Sequence, residues 1–138
     1  MPSFGARSLA NLATADKRLQ DLFNDVVKVW DCSVTEGHRG QAEQHAAFVA
    51  GNSKLDWPNG NHNALPSNAV DVYPYPIDMN NKEEFYYFAG FVMGMAQARG
   101  LKLRWGGDWN QNKRVEDNTF NDLVHFELTD NLNKPPVQ

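Results

Sequence analysis

An apolar residue recurs every three to four positions in two long segments, which predicts two amphipathic helices packed on a common core. Ser8 or Thr14 could cap the first helix, and Asp16 would favour its N-terminus. Asn80 could cap the second helix, with Glu83 as its capping-box partner. The apolar positions of the two stripes are Leu19, Leu22, Phe23, Val26, Val27 and Trp30, then Phe85, Phe88, Ala89, Val92, Met93 and Ala96.

Short runs of β-branched, aromatic and alternating apolar residues predict strands between and after these helices. A third, shorter helix is predicted by the composition of residues 41–50, and Gly51 follows as its natural end. The element order is roughly α-β-α-β-α-β-β. This order favours an α+β fold, with a small, mainly antiparallel sheet and helices packed on one side. The predicted strands are residues 32–36, 69–73, 101–105 and 124–128.

Composition limits the class of protein. The 138 residues, 41% of them hydrophobic, are enough for one domain with its own core. We expect a single domain over 1–138 with its core at about 14–128 and a flexible tail at 131–138. The net charge of −4 argues against a general binder of nucleic acid or anionic membranes. A signal-peptide core and an apolar run of about 18 residues are both absent, so we expect a cytoplasmic location unless the protein is exported.

Two predicted strands each carry a polar residue that is costly to bury alone. Asp71 lies in Ala-Val-Asp-Val-Tyr, and His125 lies in Val-His-Phe-Glu-Leu, with Asp122 three residues earlier. His62 precedes Asp71 by nine positions in a long loop. Taken singly, His62 reads as a surface histidine and Asp71 as a satisfied acid at a strand end. Together, His62, Asp71 and His125 form the ligand set of a catalytic zinc ion that keeps a fourth position for water.

Other chemistries remain open at this stage. Asp122 could act as general base beside the metal, or as a fourth ligand that closes a structural site. The single Cys32 and His38 could form a metal-free nucleophilic pair, although Cys32 lies in a strand-like stretch typical of a buried thiol. His38 and His45 are otherwise expected at the surface.

The segment from His62 to Pro76 resembles the metal-binding segment of phage endolysins of the L-alanyl-D-glutamate peptidase type, relatives of the D-alanyl-D-alanine carboxypeptidases. The upstream Gly37-His38-Arg39 and Gln41-Ala-Glu43-Gln44, and the downstream Asp122-Leu-Val-His125, follow the family order. Gly106-Gly-Asp-Trp109 resembles the family's Gly-x-Asp-Trp segment. One departure is Gly60-Asn61, where the family often has Ser-Lys. The resemblance spans residues 14–128.

This resemblance implies a hedgehog/D-Ala-D-Ala peptidase-like fold and a zinc peptidase that cleaves peptidoglycan stem peptides for host lysis. It implies Zn²⁺ on His62, Asp71 and His125, catalytic roles for Asp122 and Arg39, and substrate contacts from Arg39 and Trp109. We expect a monomer that stays in the host cytoplasm until it is released to the cell wall. D-alanyl-D-alanine carboxypeptidase activity and a non-catalytic cell-wall-binding domain remain the alternatives.

Overall fold

The computed structural model describes residues 2–130 and 132–136. A 3-10 turn at Asn61–Asn63 interrupts the long loop before the second strand. The helices and strands of the described residues are α1 (Ala6–Leu12), α2 (Lys17–Val29), β1 (Cys32–Glu36), α3 (Gln41–Val49), β2 (Ala69–Pro74), α4 (Lys82–Ala98), β3 (Leu103–Gly106) and β4 (Asp122–Leu128).

The four strands form one antiparallel sheet in the order β1-β2-β4-β3. Alternate residues of each strand point to opposite faces of a sheet, and here the two faces differ in kind. One face is apolar and contributes to the core together with residues of α2 and α4. The other carries the polar residues of the central strands. The α+β fold with an antiparallel sheet is therefore confirmed.

Aromatic rings join the helices to the apolar face of the sheet. Phe126 on β4 is fully buried and meets Phe23 of α2 and Phe88 of α4 in edge-to-face contacts, with ring centroids 5.5 and 6.3 Å apart. Such contacts add to the free energy gained by burying the rings. Both predicted helical stripes supply core residues, which confirms their orientation.

Two helix caps differ from prediction. Asp16, not Ser8 or Thr14, is the N-cap of α2, and its carboxylate accepts a hydrogen bond from the Arg18 amide at 2.8 Å. Ser8 lies inside α1, where its hydroxyl accepts from the Val34 amide at 3.0 Å. Asp16 directly precedes the first residue of α2. It is the cap because only a side chain at this position reaches the free N–H groups of the first turn.

Helix α4, which corresponds to the second predicted amphipathic helix, begins one residue later than predicted. Asn81 is the cap of α4 and accepts a hydrogen bond from the Glu84 amide at 3.3 Å, so the pair Asn81–Glu84 replaces Asn80–Glu83. Two asparagines stand side by side in the sequence, and either satisfies the capping pattern. Helix α3 ends at Val49, and Gly51 has a φ of +81°, as expected for the residue that follows a helix.

Residues 132–136 of the C-terminal segment contact the rest of the domain, and the flexibility expected over 131–138 stays a prediction. The Asn133 side chain donates to Asp16 at 2.7 Å and to the Asn68 side chain at 3.0 Å, and the Lys134 carbonyl accepts from the Leu65 amide. These bonds satisfy buried polar groups of the domain. Asn131, Val137 and Gln138 lie outside the described residues. No helix in the described part of the chain is both long and apolar enough to cross a bilayer.

Candidate active site

Three ligand atoms converge on the polar face of the sheet. His62 Nε2 lies 3.1 Å from Asp71 Oδ1 and 3.2 Å from His125 Nδ1, and Asp71 Oδ1 lies 3.3 Å from His125 Nδ1. A tetrahedral zinc ion with ligand distances of about 2.0–2.1 Å separates its ligand atoms by roughly 3.3 Å. The triangle therefore has the dimensions of one face of such a coordination tetrahedron, and the three residues could hold a metal ion.

Each histidine has an outer ring nitrogen that points away from the triangle of candidate ligand atoms. The hydrogen bond made by this nitrogen fixes which ring nitrogen faces the centre of the triangle. His62 Nδ1 lies 2.8 Å from the Gly37 carbonyl oxygen, and His125 Nε2 lies 2.7 Å from Glu127 Oε1. Both of these oxygens only accept hydrogen bonds, so each of these nitrogens carries the proton. In the neutral rings, the inner nitrogens then present lone pairs, beside a third from Asp71. Lone pairs arranged in this way suit a bound cation, and metal-binding histidines commonly donate their outer N–H to a carboxylate or a backbone carbonyl as these two do.

The surrounding charges favour a positive charge at this point. Burial would raise the pKa of Asp71, but the neighbouring His62 and His125 hold it well below its usual range. Burial would lower the pKa of His125, but contacts with Asp71 and Glu127 raise it to about 10. A bound metal ion would supply the same positive charge without a proton.

His62 is positioned by the turn between β1 and α3. The Arg39 amide donates to the His62 carbonyl at 2.8 Å, and the buried Asn63 side chain donates to the Arg39 carbonyl at 3.1 Å. Gly37 packs so closely that a Cβ there would lie 2.2 Å from the Asn11 carbonyl oxygen. Only glycine allows the turn to approach this closely and offer its own carbonyl to His62.

Gln44 and Arg39 join the loop to the ligands. The Gln44 side chain is 1% exposed, and its oxygen accepts from Arg39 Nη1 at 3.1 Å and from Asn63 at 3.0 Å. Arg39 Nε donates to Glu36 at 2.6 Å, and Nη2 lies 3.7 Å from Asp71 Oδ2. The guanidinium is therefore held beside the candidate ligands by several partners.

A break in the β3–β4 ladder turns Asp122 toward the ligands. Trp105 pairs with Phe126, but the next residue, Gly106, pairs with Asp122, which leaves three residues of β4 bulged. In a regular strand, residues three apart face opposite sides of the sheet. The bulge overcomes this alternation and brings Asp122 Oδ2 to 3.9 Å from His125 Nδ1. Burial, reinforced by Asp71, raises the pKa of Asp122.

A cleft of about 340 Å³ opens in front of these residues. One side carries Trp109, whose ring lies 5.4 Å from the His125 ring and stacks on Phe120 at 6.2 Å. The Arg104 guanidinium lies 5.5 Å from the Trp109 ring, and Lys54 Nζ lies 5.1 Å from the Phe120 ring. The cleft thus has an aromatic wall flanked by two cations, next to the candidate metal ligands.

The remaining histidines and the cysteine lie elsewhere. Cys32 is buried on the apolar face, and burial, together with Asp31, raises the pKa of its thiol to about 12. His38 is half-buried with Nδ1 bonded to the Ala64 carbonyl, and His45 is exposed beside Asp56. A Cys32–His38 nucleophilic pair is therefore wrong, because the thiol lies in the core and stays protonated.

Two buried histidines and a half-buried aspartate that converge beside a small antiparallel sheet, with a carboxylate, a guanidinium and an open cleft next to them, are typical of metal-dependent hydrolases. Comparison with known proteins narrows the class. The family model for phage L-alanyl-D-glutamate peptidases matches residues 2–129, so the chain belongs to that family.

Two relatives agree with this assignment. The L-alanyl-D-glutamate peptidase of Escherichia phage T5 is 29% identical over 119 residues, which cover 83% of this chain and 86% of that protein. The crystal structure of the Serratia marcescens L-Ala D-Glu endopeptidase ChiX superposes with a TM-score of 0.69 at 27% identity. That alignment covers 93% of this chain and 91% of ChiX.

Two contributors to the site, Gln44 and Glu127, were not predicted from the sequence. Gln44 was noted only as part of a motif, whereas the structure makes it a buried hydrogen-bond hub. Glu127 was noted only as part of the strand sequence around His125. Its position two residues after His125 places it on the same face of β4, and strand periodicity could have revealed the contact.

Proposed function

We propose that this chain is a zinc-dependent peptidase that hydrolyses the L-alanyl-D-glutamate bond of peptidoglycan stem peptides. The observation that carries the proposal is the convergence of His62 Nε2, Asp71 Oδ1 and His125 Nδ1, at tetrahedral spacing beside Asp122. Family membership supplies the substrate class, because both relatives are named for this bond.

In this proposal His62, Asp71 and His125 hold the zinc ion. When bound, zinc lowers the pKa of a water molecule to about 7 and polarises a carbonyl oxygen. Asp122 accepts a proton from the attacking water and delivers it to the leaving amine of D-glutamate. Its place at the start of β4 suits this role, since its oxygen lies close to the ligands without forming part of their triangle.

Arg39 stabilises the negative charge that develops on the scissile carbonyl oxygen, or holds a substrate carboxylate. Its bonds to Glu36 and Gln44 keep it in place before substrate arrives, so little reorganisation is needed. Trp109 contributes the aromatic wall against which the stem peptide packs.

A digest of purified peptidoglycan tests the bond that is cut. We expect new amino termini on D-glutamate and new carboxyl termini on L-alanine, identified by mass analysis of the fragments. Release of free D-alanine would instead indicate carboxypeptidase activity, and new reducing ends alone would indicate a glycosidase. Binding to peptidoglycan without any cleavage would indicate a non-catalytic cell-wall-binding domain.

Metal analysis tests the cofactor. We expect one zinc ion per monomeric chain, lost in His62→Ala, Asp71→Ala and His125→Ala. His45→Ala serves as the matched control, because His45 is exposed and away from the triangle. Stoichiometric zinc in a His62→Ala, His125→Ala double variant would refute the ligand set.

The role in the phage cycle follows from the activity. We propose that the enzyme degrades the host cell wall during lysis and acts after release from the host cytoplasm. Fractionation of infected cells before lysis, with detection of the protein in each compartment, tests this location.

A further inference from the structure

A buried glutamate stands behind one candidate ligand. Glu127 is 3% exposed, and its Oε1 accepts the His125 Nε2 proton at 2.7 Å. Both residues lie on the polar face of β4, two positions apart. A carboxylate buried in this way is costly unless it is paired and fully hydrogen-bonded.

The second oxygen of Glu127 is held from the neighbouring strand. Arg104 is the cross-strand partner of Glu127 in the β3–β4 ladder. Its Nη2 and Nε lie 2.6 and 3.2 Å from Glu127 Oε2. Oε1 therefore accepts a hydrogen bond from His125, and Oε2 accepts hydrogen bonds from the Arg104 guanidinium. The carboxylate cannot rotate without breaking one of these contacts.

We infer that Glu127, locked by Arg104, is a positioning residue that sets the tautomer and orientation of His125 and so the metal affinity of the site. The inference rests on the proposed metal site. Glu127 contacts the outer nitrogen of His125, whereas Asp122 approaches the inner one. Glu127 is therefore placed to act on the ligand, while Asp122 is placed to act on the reacting groups.

His62 and His125 have different kinds of hydrogen-bond acceptor at their outer ring nitrogens. The outer nitrogen of His62 donates to the neutral carbonyl of Gly37, whereas that of His125 donates to a carboxylate. A negatively charged acceptor raises the basicity of the ligating nitrogen more than a neutral one does. Metal affinity should therefore depend strongly on the charge of Glu127.

The test is a zinc titration of the metal-free protein in competition with a chromophoric chelator. We expect Glu127→Gln to weaken zinc binding about 10–100-fold, the range found when such partners are removed. Glu116→Gln, an exposed acid paired only with Arg114 among the described residues, is the matched control and should bind as the wild type does. Arg104→Met should weaken binding less than Glu127→Gln, and Arg104→Lys should restore part of the loss.

Two further readouts separate positioning from other roles. With cobalt in place of zinc, we expect Glu127→Gln to shift the visible absorption bands, because His125 changes its orientation. At saturating zinc, turnover of Glu127→Gln should recover substantially. Zinc affinity within twofold of wild type in both Glu127→Gln and Arg104→Met would overturn the inference. Loss of turnover at full zinc occupancy would also overturn it and assign Glu127 to the chemistry.

These measurements distinguish this inference from the proposed function. The titration uses no substrate, so the site could bind zinc as inferred even if the digest identified another bond. The Arg104 side chain is partly exposed, so Arg104→Met keeps the inference testable if Glu127→Gln fails to fold.

Discussion

The two faces of the central sheet use neighbouring residues of the same strands for opposite purposes. On β4, Phe126 is buried among aromatic rings of α2 and α4, while His125 and Glu127 on either side of it face the candidate metal site. On β2, Val70 and Val72 belong to the core, and Asp71 between them faces His62.

The two faces differ in the interactions that stabilise them. The apolar face depends on volume and burial, so its contribution is to the free energy of unfolding. The polar face depends on directed hydrogen bonds and charges. Substitutions on one face should therefore change stability, and substitutions on the other should change chemistry.

Asp122→Asn should give the largest difference between the loss of activity and the loss of stability. This change keeps the size of the side chain but removes the proton acceptor, so kcat should fall by about 10²–10⁴-fold. Zinc content and the unfolding midpoint should stay near those of wild type. Asp117→Asn, in the exposed loop before β4, is the control. Turnover of Asp122→Asn at near wild-type rate would remove Asp122 from the mechanism and leave Glu36 and Glu43 as carboxylates to test.

Phe126→Ala tests the opposite face. Truncation of this buried ring should lower the free energy of unfolding by about 3–5 kcal/mol, measured by urea denaturation. The folded variant should still bind zinc, since its neighbours His125 and Glu127 point the other way. Tyr75→Ala, which removes a largely exposed ring, should have little effect. Loss of zinc without loss of stability would contradict the division between the faces.

Arg39→Ala tests whether the guanidinium acts in the transition state or in binding. If Arg39 stabilises the developing oxyanion, kcat should fall about 10²–10³-fold while the metal is retained. If it anchors the substrate, KM should rise and kcat should change little. Arg114→Ala, an exposed arginine outside the cleft, is the control. Unchanged kcat and KM would exclude both roles.

The smallest effect is expected at the N-terminus of α2. The hydrogen bond with Arg18, opposed by burial, lowers the pKa of Asp16 to about 2. Because the folded pKa lies below the unfolded one, the stabilisation is present above about pH 4 and is lost as the pH falls toward 2. Asp16→Asn keeps a capping side chain, so it should cost about 1–2 kcal/mol at neutral pH and almost nothing near pH 2.

Urea denaturation of Asp16→Asn and wild type at several pH values measures this dependence. Asp21→Asn, on the exposed side of the same helix, is the control. A stability difference that does not shrink in acid would show that the charge of Asp16 is not its source.

Periodic patterns predicted most of the scaffold and the two strands that carry Asp71 and His125, whereas His62, in a loop, was singled out by its spacing from Asp71 and by the family resemblance. The stripe from Leu19 to Trp30 and the alternation around Asp71 and His125 each reflect a single burial requirement, which local sequence records directly. Strand β1 has the predicted bounds, whereas β3 begins at Leu103 and β4 already at Asp122.

Features that depend on tertiary contacts could not be predicted in the same way. Helix α1 is only seven residues long and starts after Gly5 without a side-chain cap, so its signal is weak. Gln44 reads as an ordinary helical residue, and only the fold brings the loop oxygens of Ser53 and Leu55 to its amide. The ordered contacts of Asn133 likewise depend on partners far away in the sequence.

The alternation along β2, and along β4 from His125 to Leu128, has a consequence for the kinds of mutation that the protein tolerates. A substitution affects one face, but deletion of one residue within β4 reverses every side chain beyond it. Phe126 would then point into the cleft, and His125 would point among the rings of the core. Libraries of point substitutions can therefore tune activity and stability separately, while libraries of single-residue deletions in these strands should lose both at once.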